Sequence, residues 1–110
     1  MALVTGAAQG IGQAIALALA ERGAKVVATD LNPPQETVRK IGSTGCALAL
    51  DVTQQEHCPA IAAGARDVGE VDIVVNNAGY FPNRPIDELD LATWRKTMAT
   101  NLDSHFLSVK

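Results

Sequence analysis

A glycine-punctuated turn near the start of the chain constrains it more than any other feature. Thr5-Gly6-Ala7-Ala8-Gln9-Gly10-Ile11-Gly12 joins a short apolar run, Ala2–Thr5, to a stretch with apolar residues at Ile11, Ile15, Leu17 and Leu19 and small alanines between them. The run reads as a buried strand and the stretch, residues 10–22, as a helix stopped by Gly23. Gly6 lets the chain turn sharply out of the strand, and Gly12 lets the helix approach the sheet closely. Gly10 clears a side chain from where backbone would meet a pyrophosphate, and the first-turn N–H groups, those of Gly10 and Ile11 included, favour an anion there.

The same alternation continues down the chain. Residues 24–30 (AKVVATD) read as a second strand, and Asn32-Pro33-Pro34 opens a helix that runs to about Ile41, with Gly42 beyond it. Residues 46–50 form a third strand, followed by Asp51-Val52 and a helix over about 54–68. Residues 71–75 (VDIVV) form a fourth strand, broken by Asn76-Asn77-Ala78-Gly79. Residues 80–85 read as a loop because Pro82 and Pro85 deny it regular structure, and Asp90 can cap a last helix over 91–110. Continuous apolar strands with crossover helices imply an α/β fold whose parallel sheet is covered on both faces. Right-handed crossovers then give a Rossmann-type doubly wound sheet with strand order 3-2-1-4. The 110 residues are expected to form one dinucleotide-binding domain. Because the last helix meets no stop signal and the first strand begins at once, that domain is expected to be the N-terminal part of a longer one.

Composition removes several alternatives. The net charge of −3, without a basic cluster, argues against a nucleic-acid partner. No apolar run is long enough to span a membrane, and the N-terminus lacks the basic region of a signal peptide. Cys46 and Cys58 have no CxxC spacing, so neither a disulfide framework nor a metal site is expected, and reduced thiols suit a cytoplasmic location. His57 beside Cys58 does not form a catalytic pair, since adjacent helical residues point in different directions.

Asp30 closes the second strand, 18 residues after Gly12. A carboxylate there can accept hydrogen bonds from the two adenosine ribose hydroxyls. It would also repel a 2′-phosphate, by about 3 kcal/mol per unit charge at ~5 Å and an effective dielectric of ~20. The places where a compensating cation would stand hold Gln9 and Leu31, both neutral. NAD rather than NADP is therefore the expected cofactor.

TGAAQGIG resembles the TGxxxGxG element of the short-chain dehydrogenase/reductase family, and Asn76-Asn77-Ala78-Gly79 matches that family's NNAG element. The resemblance covers essentially the whole chain but only the first half of a family member. It implies that Asp51 accepts from the adenine amine while Val52 covers the ring, although an N-cap partner and a core valine would look the same. It implies that Asn77, Ala78 and Gly79 pass beneath the adenosine ribose and that Asn76 ties neighbouring strands. Asn101, in Met-Ala-Thr-Asn-Leu-Asp, is similar to the helix asparagine of the family's Asn-Ser-Tyr-Lys tetrad, which holds a proton-relaying water. The other three tetrad members are absent: Tyr80 is followed four residues later by Arg84, not Lys, and Ser104 and Ser108 lie on the Asn101 helix.

The family implies an oxidoreductase that interconverts a secondary alcohol and a carbonyl, acting on a small alcohol or ketone as a homodimer or homotetramer, and Asp30 makes NAD its expected cofactor. The 110 residues alone are expected to bind a dinucleotide without transferring hydride. A non-catalytic dinucleotide-binding module and a remnant fragment stay open beside it. The apolar residues Leu91, Met98, Leu102, Phe106 and Val109 of the last helix suit either a second subunit or the core.

Overall fold

A computed structural model describes residues 1–56, 63 and 67–109. Four parallel strands, β1 (Ala2–Thr5), β2 (Val26–Asp30), β3 (Gly45–Ala49) and β4 (Ile73–Val75), form one sheet in the order β3-β2-β1-β4. The order is the 3-2-1-4 that the alternation requires. In the centre, Val4 stands opposite Ala28 on one side and Val75 on the other.

Side chains alternate across this sheet and build two cores. Leu3, Val27 and Leu50 lie on one face with Cys46, Val52 and Val74 packed against them. Val4, Val26 and Ala28 lie on the other, beneath α1 (Gly10–Glu21) and α2 (Gln35–Ile41), which supply Ala16, Ile15, Leu19, Val38 and Ile41. Burial on both faces is why the strands read as unbroken apolar runs. Each fully buried valine, such as Val4, Val26 and Val27, stabilises the fold by about 2 kcal/mol. The face of α1 turned to the sheet is made of small residues, Gly12 and Ala16, so helix and sheet come close together.

Strand boundaries move by one or two residues from the sequence reading. Ala24 donates its N–H to the Leu19 carbonyl and so closes α1 instead of opening β2. Asp72 and Ile73 both donate to the Met1 carbonyl, which starts the β4 ladder at Ile73. At the third strand, Gly45 enters the ladder opposite Val26 and the ladder ends at Ala49. The expected helix over 54–68 falls largely outside the described residues, as do His57, Cys58 and Lys110.

Residues 80–85 are irregular, as their prolines require, and a single 3-10 turn, Ile86–Glu88, follows. Asp90 caps α3 (Leu91–Met98), its Oδ1 accepting the Thr93 N–H at 2.7 Å. The expected unbroken helix over 91–110 is corrected here: Ala99–Asp103 is a π-helical turn, and the α-helix resumes over Ser104–Val109. Single π turns inside α-helices recur at functional sites. No helix among the described residues is long and apolar enough to cross a membrane.

Candidate functional site

All four strands are parallel, so their carboxyl ends gather the segments singled out in the sequence along one edge. Gly6 follows β1, Asp30 and Leu31 end β2, Asp51 and Val52 follow β3, and Asn77-Ala78-Gly79 follows β4. The chain order reverses between β1 and β4, which is where a doubly wound sheet opens a crevice.

Close backbone contact at that crevice explains two of the glycines. Gly6 has φ +64°, and a Cβ on it would stand 2.9 Å from the Ala78 Cα. A Cβ on Gly12 would run into the Gly6 carbonyl and the Asn77 side-chain amide. Gly10 differs: its φ is +58°, but a Cβ there meets nothing within 4 Å. It faces open space at the helix N-terminus, where Gln9 in extended conformation provides no side-chain cap. The first-turn N–H groups, Ile11 among them, therefore look outward without an intrahelical acceptor.

The β1–β4 junction is stitched by side chains. Asn77 Nδ2 donates to the Thr5 and Gly6 carbonyls, both at 3.0 Å. The Thr5 hydroxyl donates to the Val75 carbonyl and accepts the N–H groups of Asn77 and Ala78 at 3.1 and 3.0 Å. The strand tie expected of Asn76 thus belongs to Asn77. The chain turns just after β4, the Asn77 N–H also approaching the Val75 carbonyl at 3.1 Å, and this turn brings the second of the two asparagines to the end of β1. The sequence reading does not single out the Thr5 hydroxyl, and only its place at the strand end, before Gly6, could have signalled it.

Asp30 stands beside the glycine loop. Its Oδ2 accepts the Ala8 N–H at 3.0 Å and its Oδ1 the Leu31 N–H at 2.9 Å. Gln9 and Leu31, both exposed, have uncharged side chains, so neither supplies a cation near this carboxylate. Asp51 Oδ1 accepts both the N–H and the hydroxyl of Thr53, at 2.9 and 2.7 Å. Val52 packs against the Leu3–Val27–Leu50 core. The Asp51–Thr53 bonds shape the turn after β3.

Asn101 lies in the π-helical turn, and both ends of its amide meet one residue. Its Oδ1 accepts the Tyr80 N–H at 2.7 Å, and its Nδ2 donates to the Tyr80 carbonyl at 2.8 Å. A Cβ on Gly79 would stand 3.6 Å from the same Oδ1. The Asn101 side chain thus holds the backbone just beyond the β4 turn. The Lys96 ammonium stands 4.3 Å from the Tyr80 ring centroid, which fixes that residue from a second side.

Sheet order, crevice and glycine turn define the class: a Rossmann-type doubly wound sheet. The short chain dehydrogenase family description matches residues 1–110, and the chain belongs to that family. It is 44% identical over 109 residues to a 3-oxoacyl-(acyl-carrier-protein) reductase of Vibrio cholerae, covering 96% of this chain and 45% of the relative. It is 42% identical to a D-threitol dehydrogenase of Mycolicibacterium smegmatis, covering 97% of this chain and 44% of that protein. A solved structure described as a short-chain alcohol dehydrogenase from Sinorhizobium meliloti superimposes with a TM-score of 0.92 at 44% identity, covering 98% of this chain and 45% of the other. The chain thus spans less than half the length of the relatives it matches.

Proposed function

We propose that the chain is the cofactor-binding part of an NAD-dependent oxidoreductase that interconverts a secondary alcohol and a carbonyl. The observation that carries the cofactor assignment is the Asp30 carboxylate, held beside the glycine loop by the Ala8 N–H, with neutral residues, Gln9 and Leu31, at the two positions where a compensating cation is looked for. In this reading Gly6, Gly10, Ile11 and Gly12 present backbone N–H groups and clear space to the pyrophosphate. Gly10 fits that task, because its missing side chain opens onto solvent. Asp30 accepts the adenosine ribose hydroxyls and repels a 2′-phosphate. Asp51 and Val52 border the adenine. Asn77, Ala78 and Gly79 line the floor beneath the ribose, at the crevice between β1 and β4. The nicotinamide, when bound, supplies the hydride.

Asn101 holds the relay water in this reading and has a structural part beside it. Its clamp on the Tyr80 peptide supports a role in fixing the backbone beyond Gly79, on the side where the reacting end of a dinucleotide would lie. Relatives named as D-threitol, sorbitol and gluconate 5-dehydrogenases favour a small hydroxylated substrate. The exposed apolar side chains of Leu91, Trp94, Leu102 and Val109 support packing of the last helix on a second copy in a dimer or tetramer.

The 110 residues contain no Tyr-x-x-x-Lys, so they bind the dinucleotide without turning it over. The second reading is a non-catalytic dinucleotide-binding module. The coding sequence downstream of Lys110 separates the two. An in-frame Tyr-x-x-x-Lys, with alcohol-dependent reduction of NAD by the encoded protein, supports the enzyme. A stop codon directly after Lys110 contradicts it and leaves the binding module.

A further inference from the structure

The glycine loop is held by more than its glycines. Between β1 and α1, the N–H and carbonyl of both Ala7 and Ala8 have partners. The Ala7 N–H donates to the Thr29 carbonyl at 2.9 Å, and the Ala8 N–H donates to Asp30. On the acceptor side, the Ala7 carbonyl takes the Thr37 hydroxyl at 2.7 Å and the Ala8 carbonyl takes Gln13 Nε2 at 3.1 Å. The last two donors are joined to each other, since Gln13 Nε2 also donates to Thr37 Oγ1 at 2.9 Å. Gln13 Oε1 accepts from Lys40 at 3.2 Å, which adds a second link from α1 to α2.

Thr37 is fully buried near the start of α2, and its hydroxyl gives one hydrogen bond and receives one. A valine would fill the same volume. The hydroxyl therefore does something that volume does not: it satisfies a buried carbonyl of a loop three elements earlier in the chain.

We propose that Thr37, with Gln13 as its relay, is a positioning residue that fixes the glycine loop in its anion-receiving shape. This rests on the reading of that loop as the seat of the dinucleotide pyrophosphate. Donors from α1 and α2 pin the Ala7 and Ala8 carbonyls on the helix side of the loop. The peptides then cannot flip, and no carbonyl oxygen turns toward the phosphate oxygens, where it would repel them. A loop freed to flip would be competent only part of the time, and the apparent affinity would fall by that fraction.

The test uses Thr37→Val, which keeps the shape and loses the hydroxyl, Thr37→Ser, which keeps the hydroxyl, and Gln13→Leu. NADH titration followed by fluorescence is paired with a thermal melt and with amide hydrogen exchange at Ala8, Gln9 and Gly10. Thr37→Val leaves the Ala7 carbonyl without its donor and Gln13→Leu does the same to the Ala8 carbonyl, and each should bind NADH about tenfold more weakly. Their loop amides should exchange faster, Thr37→Ser should bind within about twofold of the parent, and the double variant should fall short of the summed losses. Half-exposed Gln13 carries the test if Thr37→Val does not fold. Folded variants that melt lower but bind NADH as the parent does would overturn the proposal while leaving the dinucleotide reading intact. A parent chain that binds no NADH would overturn both.

Discussion

The two ends of this molecule are built on opposite plans. Around the glycine loop, polar groups of β1, β2, α1 and α2 meet one another, and Ala7, Thr5, Thr29 and Thr37 are buried. The helix that begins at Leu91 is the reverse. Leu91 is 60% exposed and Val109 71%, and this helix is joined to the β4 turn by the Asn101 amide and the Lys96–Tyr80 contact. The nucleotide end is shaped by this chain's own groups before any ligand arrives. The far end keeps apolar surface in solvent, and among the described residues the Asn101 and Lys96 contacts join it to the β4 turn. Damage at the first end should therefore be global, and damage at the second local.

The largest effect should come from Gly12→Val. Its side chain would strike the Gly6 carbonyl and the Asn77 amide together, and neither is the free end of a flexible chain. A loss of about 3 kcal/mol, the upper part of the overpacking range, is expected in chemical denaturation, with NADH binding abolished. Unchanged stability would mean that α1 does not approach the sheet as described. Next is Asn77→Ala, which removes two hydrogen bonds to the Thr5 and Gly6 carbonyls. About 2 kcal/mol should be lost, whereas Asn76→Ala should cost less than about 0.5 kcal/mol. Equal losses would return the strand tie to Asn76.

At the other end, Asn101→Ala should cost about 1 kcal/mol and leave the sheet intact. Hydrogen exchange should quicken at the Tyr80 amide and not at Val4 or Val27; a uniform change would erase the contrast between the two regions. The smallest effect concerns Asp90. The Thr93 N–H bond is the main reason its carboxyl sits below the ordinary value of 3.8. A carboxyl lowered by folding stabilises above its unfolded-state value, and that contribution is lost as pH falls through the lower folded-state value. Helicity at α3 should therefore drop on acidification through that range, and Asp90→Ala should remove the dependence. An unaltered acid profile in Asp90→Ala would assign it to other groups.

The fold was legible because its signals are covalent and local. Glycines just past α1 and α2, at positive φ, mark where those helices stop, and unbroken apolar runs mark strands buried on both faces. Boundaries were less so, because hydrogen bonds decide them: nothing about Ala24 says that its N–H goes back to Leu19. The site was legible where a residue type is required by close approach, as at Gly6 and Gly12. It was not where a long-range partner decides the role. Thr37 acts on Ala7 from another helix, Asn101 turns to Tyr80 across 21 residues, and the π-helical turn that holds Asn101 has no glycine or proline to announce it.

The central claim is that the Asp30 carboxylate makes this site one for NAD. It is tested most directly by titrating the protein with NADH and separately with NADPH, in the parent chain and in Asp30→Asn. The account predicts NADH at least about tenfold tighter in the parent, a gap that narrows in Asp30→Asn as the repulsion of the 2′-phosphate is removed. Equal affinities in the parent, or NADPH the tighter, would contradict it.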